Sequence, residues 1–202
     1  MPDRLSYDEA MQYSQKTLKI QDPDLRQGNV ETYTIKTSVG HMKKPWGIEG
    51  GFAVVYKFRA RSGQMKAMRC FRVAMNADTQ SRYEKMSVYF RRHLPDITID
   101  FRYYDDGILV KESAFAAVKK VCPVIVMEWV EGVTLLEKVD ELCKLRDTRV
   151  LGMLMDEWLG IINAMRQAKV AHGDLAGVNV MVRGNGKLTL VDYDGVYIPE
   201  FH

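Results

Sequence analysis

From His172 to Gly195 the chain reads HGDLAGVNVMVRGNGKLTLVDYDG, and no other stretch limits its possible folds as much. VNVMV and KLTLVDY read as short strands, and RGNG between them is a hairpin signal. A hairpin brings its two open ends together. Asn179, at the start of the first strand, is therefore expected beside Asp192, at the end of the second, with Asp174 in the adjoining loop. One carboxylate and one amide oxygen make a modest hard-oxygen site. Such a site suits magnesium, which keeps several waters and completes its shell with substrate phosphates. A carboxylate outside that shell, Asp174, would be placed to orient or deprotonate an acceptor hydroxyl. The same polar residues also suit the capping of turns around a hairpin. The residues alone leave both readings open.

The rest of the chain supplies a setting. Residues 1–29 are polar, with a short helical candidate near Tyr7–Leu18 and a turn-like QDPDLRQGN, and they read as a peripheral leader. Residues 30–37 alternate like a strand. Gly47, Gly50 and Gly51 then precede FAVVYKF, a second strand, and RSGQ turns the chain into MKAMRCFRV, a third. A glycine-rich turn lets backbone N–H groups approach phosphates, and equally serves as a plain hairpin turn. Residues 77–93 suit an amphipathic helix with Met86, Phe90 and His93 on one face, Tyr83 a turn earlier and Glu84 just off that face. LPDITIDFRYYDDGILV reads as a turn and one or two short strands. The apolar run Val124–Met127 suits a buried strand. Two helices follow, TLLEKVDELCKLR and a longer one over Arg149–Ala168, whose methionines read as core filler. Strands, one helix, more strands, helices and a late hairpin describe an α+β chain, a mainly β part followed by a helical one.

Composition narrows the function classes. A length of 202 residues supports one domain, or one domain in two lobes, with a real core. The net charge of +3 makes no case for bulk binding to nucleic acid or to an anionic membrane. The N-terminus lacks the apolar core of a signal peptide, and no apolar run is long enough to span a bilayer. Cys70, Cys122 and Cys143 form no CxxC pair or disulfide framework, which favours a reducing, cytoplasmic compartment. His41, His93, His172 and His202 show no zinc spacing.

HGDLAGVN resembles the catalytic loop of the protein kinase superfamily, and VDYDG resembles its metal-binding Asp-Phe-Gly segment. Upstream, GIEGGFAVVY is similar to the glycine-rich loop, KAMRCF to the strand that carries the phosphate-pairing lysine, and VIVMEWVEG to the strand and hinge that hold adenine. The resemblance covers about residues 40–197. It implies a protein-kinase-like fold with a mainly β N-terminal lobe over residues 30–130, the hinge at its end, and a partial helical lobe over residues 131–202. It further implies ATP and Mg2+ as ligands. Backbone around Gly50, Gly51 and Phe52 would cover the phosphates, Ala67 would line the adenine pocket, and Met127 would guard its back. Glu128 and Trp129 would supply hinge hydrogen bonds. Arg69 would stand for the family lysine with Glu84 as its partner, Asp174 would be the catalytic aspartate, and Asn179 and Asp192 would hold magnesium. His172 would be architectural.

Several positions depart from that pattern. Ile48 and Ala53 replace loop glycines, with Gly47 adjacent as a partial compensation. Arg69 keeps the charge but exchanges a compact ammonium for a planar fork. Gly173 replaces the arginine of His-Arg-Asp, which argues against control by a phosphorylated activation loop. Ala176 replaces a lysine, and Asp194 stands at the glycine of Asp-Phe-Gly. Only residues 193–202 follow Asp192, so the helical lobe is expected to be truncated. The resemblance thus implies a protein Ser/Thr kinase acting on a protein substrate. The alternatives are a pseudokinase serving as a nucleotide-sensing or scaffolding module, and a small-molecule kinase.

Overall fold

The structure is a computed structural model and describes residues 2–38, 40–113 and 116–201. They divide into two compact units, Met1–Tyr83 with Phe101–Trp129, and Glu84–Asp100 with Val130–His202.

The first unit opens with three short helices, α1 (Arg4–Gln12), α2 (Ser14–Thr17) and α3 (Pro23–Arg26). Asp3 and Asp22 cap α1 and α3 by accepting from Ser6 N–H and Asp24 N–H. The strands are β1 (Asn29–Val30), β2 (Thr32–Thr37), β3 (Gly40–Pro45), β4 (Gly47–Glu49), β5 (Ala53–Arg59), β6 (Met65–Phe71), β7 (Phe101–Lys111) and β8 (Lys119–Glu128). Antiparallel pairing runs β1-β5-β6-β8-β7, with β4 also on β5, while β2 and β3 form a separate ribbon. β7 is one strand of 11 residues with a register shift between Tyr104 and Ile108, where the sequence suggests one or two short strands.

The sheet has two distinct faces. Side chains alternate along a strand, and directly paired residues share a face. Val54, Tyr56, Met68, Cys70, Val124 and Val126 therefore lie together, and all are buried. Tyr7, Ala10 and Met11 of α1, Leu18, Ile20 and Leu25 join them in one core. The leader expected over residues 1–29 is thus not peripheral. Its apolar residues are few and set among polar ones, yet they pack on this face. Tyr7 donates its hydroxyl to the Phe71 carbonyl at 2.6 Å, and Tyr56 donates to Asp8 Oδ1 at 2.6 Å. Burial pushes both phenols well above their usual pKa, so both remain donors. The opposite face carries Val55 and Lys57 of β5, Ala67 and Arg69 of β6, and Ile125 and Met127 of β8.

The boundary between the units falls within α4 (Thr79–His93). In the second unit, α4 buries Met86, Ser87 and Phe90, and Leu94 continues that stripe. His93, expected on the buried face, is exposed and stacks 4.2 Å from Tyr89. The i, i+4 step from Phe90 reaches Leu94, not His93. β9 (Gly132–Thr134) leads into α5 (Leu135–Leu145), started by a capping box between Thr134 and Glu137 and ended at Arg146 in the left-handed region. Hydrogen bonds from Thr134 N–H and hydroxyl hold the Glu137 carboxyl below its usual pKa. α6 (Thr148–Gln167) is capped by Asp147 and buries Leu154, Ile161 and Met165. Met155, expected in the core, is 58% exposed, as is most of Met153 at 56%. The helix presents those positions on its outer side. β10 (Val180–Arg183) and β11 (Leu188–Leu190) complete a three-stranded sheet ordered β11-β10-β9.

Because Met11 is fully buried in the first unit's core, Met11→Ala is expected to lower stability by about 2–5 kcal/mol. Urea unfolding measures this. A loss below about 0.5 kcal/mol, the range of surface substitutions, would contradict the buried placement.

Candidate active site

The late hairpin forms, with Val180 opposite Leu190 and Val182 opposite Leu188, so Asn179 faces Val191 and Asp192 is the next residue along. A single 3-10 turn, Gly177–Asn179, precedes it and turns the Asn179 side chain back onto the loop. Asn179 Nδ2 donates to Asp174 Oδ2 at 2.9 Å and to the Asp174 carbonyl at 3.0 Å. Asn179 N–H donates to the Ala176 carbonyl at 2.9 Å, and the Asn179 carbonyl accepts from Val191 N–H at 2.9 Å. Asn179 is buried and Asp174 is exposed. The structure therefore brings Asp174 and Asn179 together directly. Asp192 follows Val191 and has φ +61°, an uncommon conformation for a residue other than glycine.

Both flanks of this loop are fixed. Ala171 and Tyr197 exchange backbone hydrogen bonds at 3.1 and 2.8 Å, so the chain after Asp192 runs antiparallel beside the chain before Asp174. Gly173 sits between them with φ +79°, and a Cβ there would lie 2.1 Å from the Gly195 carbonyl oxygen. No side chain fits, which explains why glycine stands where the kinase pattern has arginine. His172 is buried, and its Nε2 lies 3.0 Å from the Val191 carbonyl, so this nitrogen carries the proton and donates. Tyr193, at the Phe position of Asp-Phe-Gly, packs edge-on to Phe90 with ring centroids 5.0 Å apart. Its hydroxyl donates to the Leu190 carbonyl at 2.7 Å and accepts from Ile99 N–H at 2.9 Å. Phenylalanine would pack there but would leave Ile99 N–H without an acceptor.

The remaining expected residues lie in the first unit, except Glu84. Ala67 and Met127 are direct cross-strand partners, and Arg69 is two residues along the same face. Arg69 is 8% exposed, with its guanidinium carbon 6.0 Å from the Phe71 ring centroid. Gly50 and Gly51 occupy a tight turn closed by Gly50 N–H donating to the Ala53 carbonyl at 2.9 Å, and Phe52 is 62% exposed. A Cβ on Gly51 would touch nothing within 4 Å, so its surroundings are open. Gly47 does not extend this turn as a compensating loop glycine. It is paired with Tyr56 in β4, and a Cβ would meet the Tyr56 ring at 2.9 Å.

The hinge differs from expectation at one atom. Trp129 N–H, expected to serve as a hinge donor, donates instead to the Met65 carbonyl at 3.3 Å. The Trp129 ring is held edge-on by Trp46 at 5.2 Å, with Lys57 Nζ 4.8 Å from its centroid. Glu128 ends β8 opposite Lys66. Glu84 is exposed and lines a cavity of about 330 Å3 with Lys85, Tyr89, His93 and Glu200. Sequence reasoning missed Lys57, which shares the face of Ala67 and Arg69. The alternation in FAVVYKF, two residues past Val55, carried that signal.

The donor set fits magnesium on chemical grounds. With both amide hydrogens of Asn179 directed to Asp174, its Oδ1 remains as a hard oxygen ligand. Among the described residues no three His, Cys, Asp or Glu side chains gather as a metal-holding group. Any metal here would take most of its shell from elsewhere.

An antiparallel sheet with Ala67, Arg69 and Met127 on one face, and an HGDLAGVN loop leading to a VDYDG hairpin end, are features of a protein-kinase-like protein. Residues 54–196 match the family model of the RIO domain. The chain belongs to the RIO-domain family, whose fold is an atypical protein-kinase-like one, and this membership supports a phosphotransferase-type function. The match begins after the Gly50–Phe52 turn. No curated protein matches the chain.

Tyr193→Phe is expected to destabilise the protein by about 1–3 kcal/mol, the cost of leaving a buried donor unsatisfied, although the ring is retained. Urea unfolding with amide exchange at Ile99 measures it. Unchanged stability together with unchanged Ile99 protection would contradict the bridging role.

Proposed function

We propose that this chain is an ATP- and magnesium-dependent phosphotransferase of the protein-kinase type, acting on serine or threonine hydroxyls of a protein. The observation that carries this reading is the hold of Asn179 on Asp174, through both the side chain and the carbonyl. It fixes one carboxylate oxygen and leaves the other free on an exposed residue. An exposed, oriented carboxylate is what an incoming hydroxyl requires.

In this reading Ala67 and Met127 line the adenine, and the Glu128 carbonyl accepts from it. Because Trp129 N–H is engaged, the hinge donor becomes the amide of Val130, which makes no hydrogen bond among the described residues. Arg69 and the backbone of Gly50, Gly51 and Phe52 bind the phosphates, with Glu84 orienting the Arg69 cation. Asn179 Oδ1 and the Asp192 carboxylate hold magnesium, which when bound neutralises charge on the phosphate oxygens. Asp174 orients the acceptor hydroxyl and takes its proton. The acceptor oxygen bonds the γ-phosphorus as the bond to the bridging oxygen of ADP breaks. A cytoplasmic setting accords with the three free thiols.

A second reading, a nucleotide-binding module with negligible turnover, is favoured by the closed Gly50–Ala53 turn and by arginine in place of lysine. Transfer of labelled γ-phosphate to protein serine or threonine separates the two. We expect transfer by the wild-type chain and a loss of about 10²–10⁴-fold in Asp174→Asn with ATP affinity retained. Transfer at an undiminished rate in that variant would contradict the assignment of Asp174. Tight ATP binding with no transfer would establish the second reading.

A further inference from the structure

The first unit carries a polar recess lined by none of the residues assigned above. It measures about 540 Å3 and is walled by Gln15, Gln21, Pro23, Arg26, Gln27 and Arg61. We propose that it binds a phosphate monoester carried on a serine or threonine side chain of another protein. This inference is independent of the phosphotransferase reading.

Charge comes first. Arg26 and Arg61 both line the recess, and neither has an ion-pair partner among the described residues. No carboxylate lines it. The two acids nearest in sequence, Asp22 and Asp24, are engaged with other donors. Asp22 Oδ1 accepts from Asp24 N–H at 2.9 Å. Asp24 accepts from Ser62 N–H at 2.6 Å and from the Ser62 hydroxyl at 2.8 Å, one contact on each carboxylate oxygen. Two like charges on one recess with no acid lining it favour an anion there.

The scaffold is preorganised. Arg61 N–H donates to the Asp24 carbonyl at 2.9 Å, so a backbone hydrogen bond ties the turn after β5 to α3, which carries Arg26. Gln15 Nε2 lies 3.4 Å from the Gln27 carbonyl and 3.3 Å from Asn29 Oδ1, tying α2 to the same rim. Preorganisation reduces the ordering cost of binding.

The lining also selects among anions. Two planar forks and three primary amides offer many N–H donors to the oxygens of one dianion, and a phosphate monoester carries about −1.5 to −2 charge. A nucleic-acid strand presents single-charge diesters and bases that stack on aromatic rings, and no aromatic residue lines the recess. Its volume falls in the range of ligand sites that admit more than a bare phosphate, which suits a phosphorylated side chain with flanking backbone.

The test is a titration of the full chain, labelled with 15N, with an alanine-glycine peptide bearing one phosphoserine. The same peptide without phosphate and a single-stranded RNA oligonucleotide form the other arms. Signals are read at the Gln15, Gln21 and Gln27 side-chain amides and the Arg26 and Arg61 Nε–H groups. We expect these groups to shift with the phosphopeptide alone. We also expect affinity to fall at least about tenfold in the R26Q/R61Q variant, while Mg-ATP binding is unchanged. Both substitutions are at exposed positions, and thermal unfolding verifies that the variant folds. No shift at millimolar phosphopeptide, an equal response to the unphosphorylated peptide, a preference for RNA, or undiminished affinity in R26Q/R61Q would each overturn the proposal.

Discussion

Asn179 is held at three points, and the candidate chemistry depends on all of them. Its side-chain amide reaches Asp174, its backbone N–H reaches Ala176, and its carbonyl receives Val191 N–H beside Asp192. One buried asparagine thus links the loop that carries the exposed aspartate to the strand end that carries the second one. The chain around it is closed by the Ala171–Tyr197 pair, and that pair comes close enough only because Gly173 has no side chain. Tyr193 anchors the same segment from below through Leu190 and Ile99. The geometry of these few residues is set by short hydrogen bonds and one steric exclusion. In a buried setting such bonds are costly to break, because each leaves a polar group unsatisfied.

The sheet of the first unit obeys a different constraint. A twisted antiparallel sheet has two faces, and an apolar face must be covered. The short helices α1–α3 and the segments between them supply that cover with Tyr7, Met11, Leu18, Ile20 and Leu25. The opposite face, with Ala67, Arg69 and Met127, carries the residues that the kinase resemblance assigns to nucleotide. The N-terminal segment therefore positions that face indirectly, by fixing the back of the strands that bear it. The same segment contributes Gln15, Gln21, Pro23, Arg26 and Gln27 to the polar recess.

What the sequence makes legible is what local pattern determines. RGNG between two apolar runs specifies the hairpin, while its register, with Val182 opposite Leu188, is settled by the strand pairing. The polar residues at its open end were visible for the same reason. The period of α6 was readable too, but not its burial. Met155 belongs to an apolar periodic set, yet lies on the outer side of the helix, because period reports a face and not what covers it. Approximate spacing puts His93 on the buried side of α4, but that place belongs to Leu94. The N-terminal segment reads as peripheral because six buried apolar residues, Tyr7, Ala10, Met11, Leu18, Ile20 and Leu25, give little periodic signal. Trp129 N–H and the role of Gly47 depend on contacts with Met65 and Tyr56, which are distant in sequence. Long-range contacts of that kind are set by strand pairing and are not written in any local window.

We propose that Asn179 and Asp192 hold magnesium for a bound adenine nucleotide. Calorimetric titration of ATP into the purified chain, first with magnesium and then with EDTA, tests it most directly, with Asp192→Ala as the companion protein. Magnesium-dependent binding, lost in Asp192→Ala while the variant remains folded, is the expected result. Binding that is the same in EDTA, or is unaffected by Asp192→Ala, would contradict it.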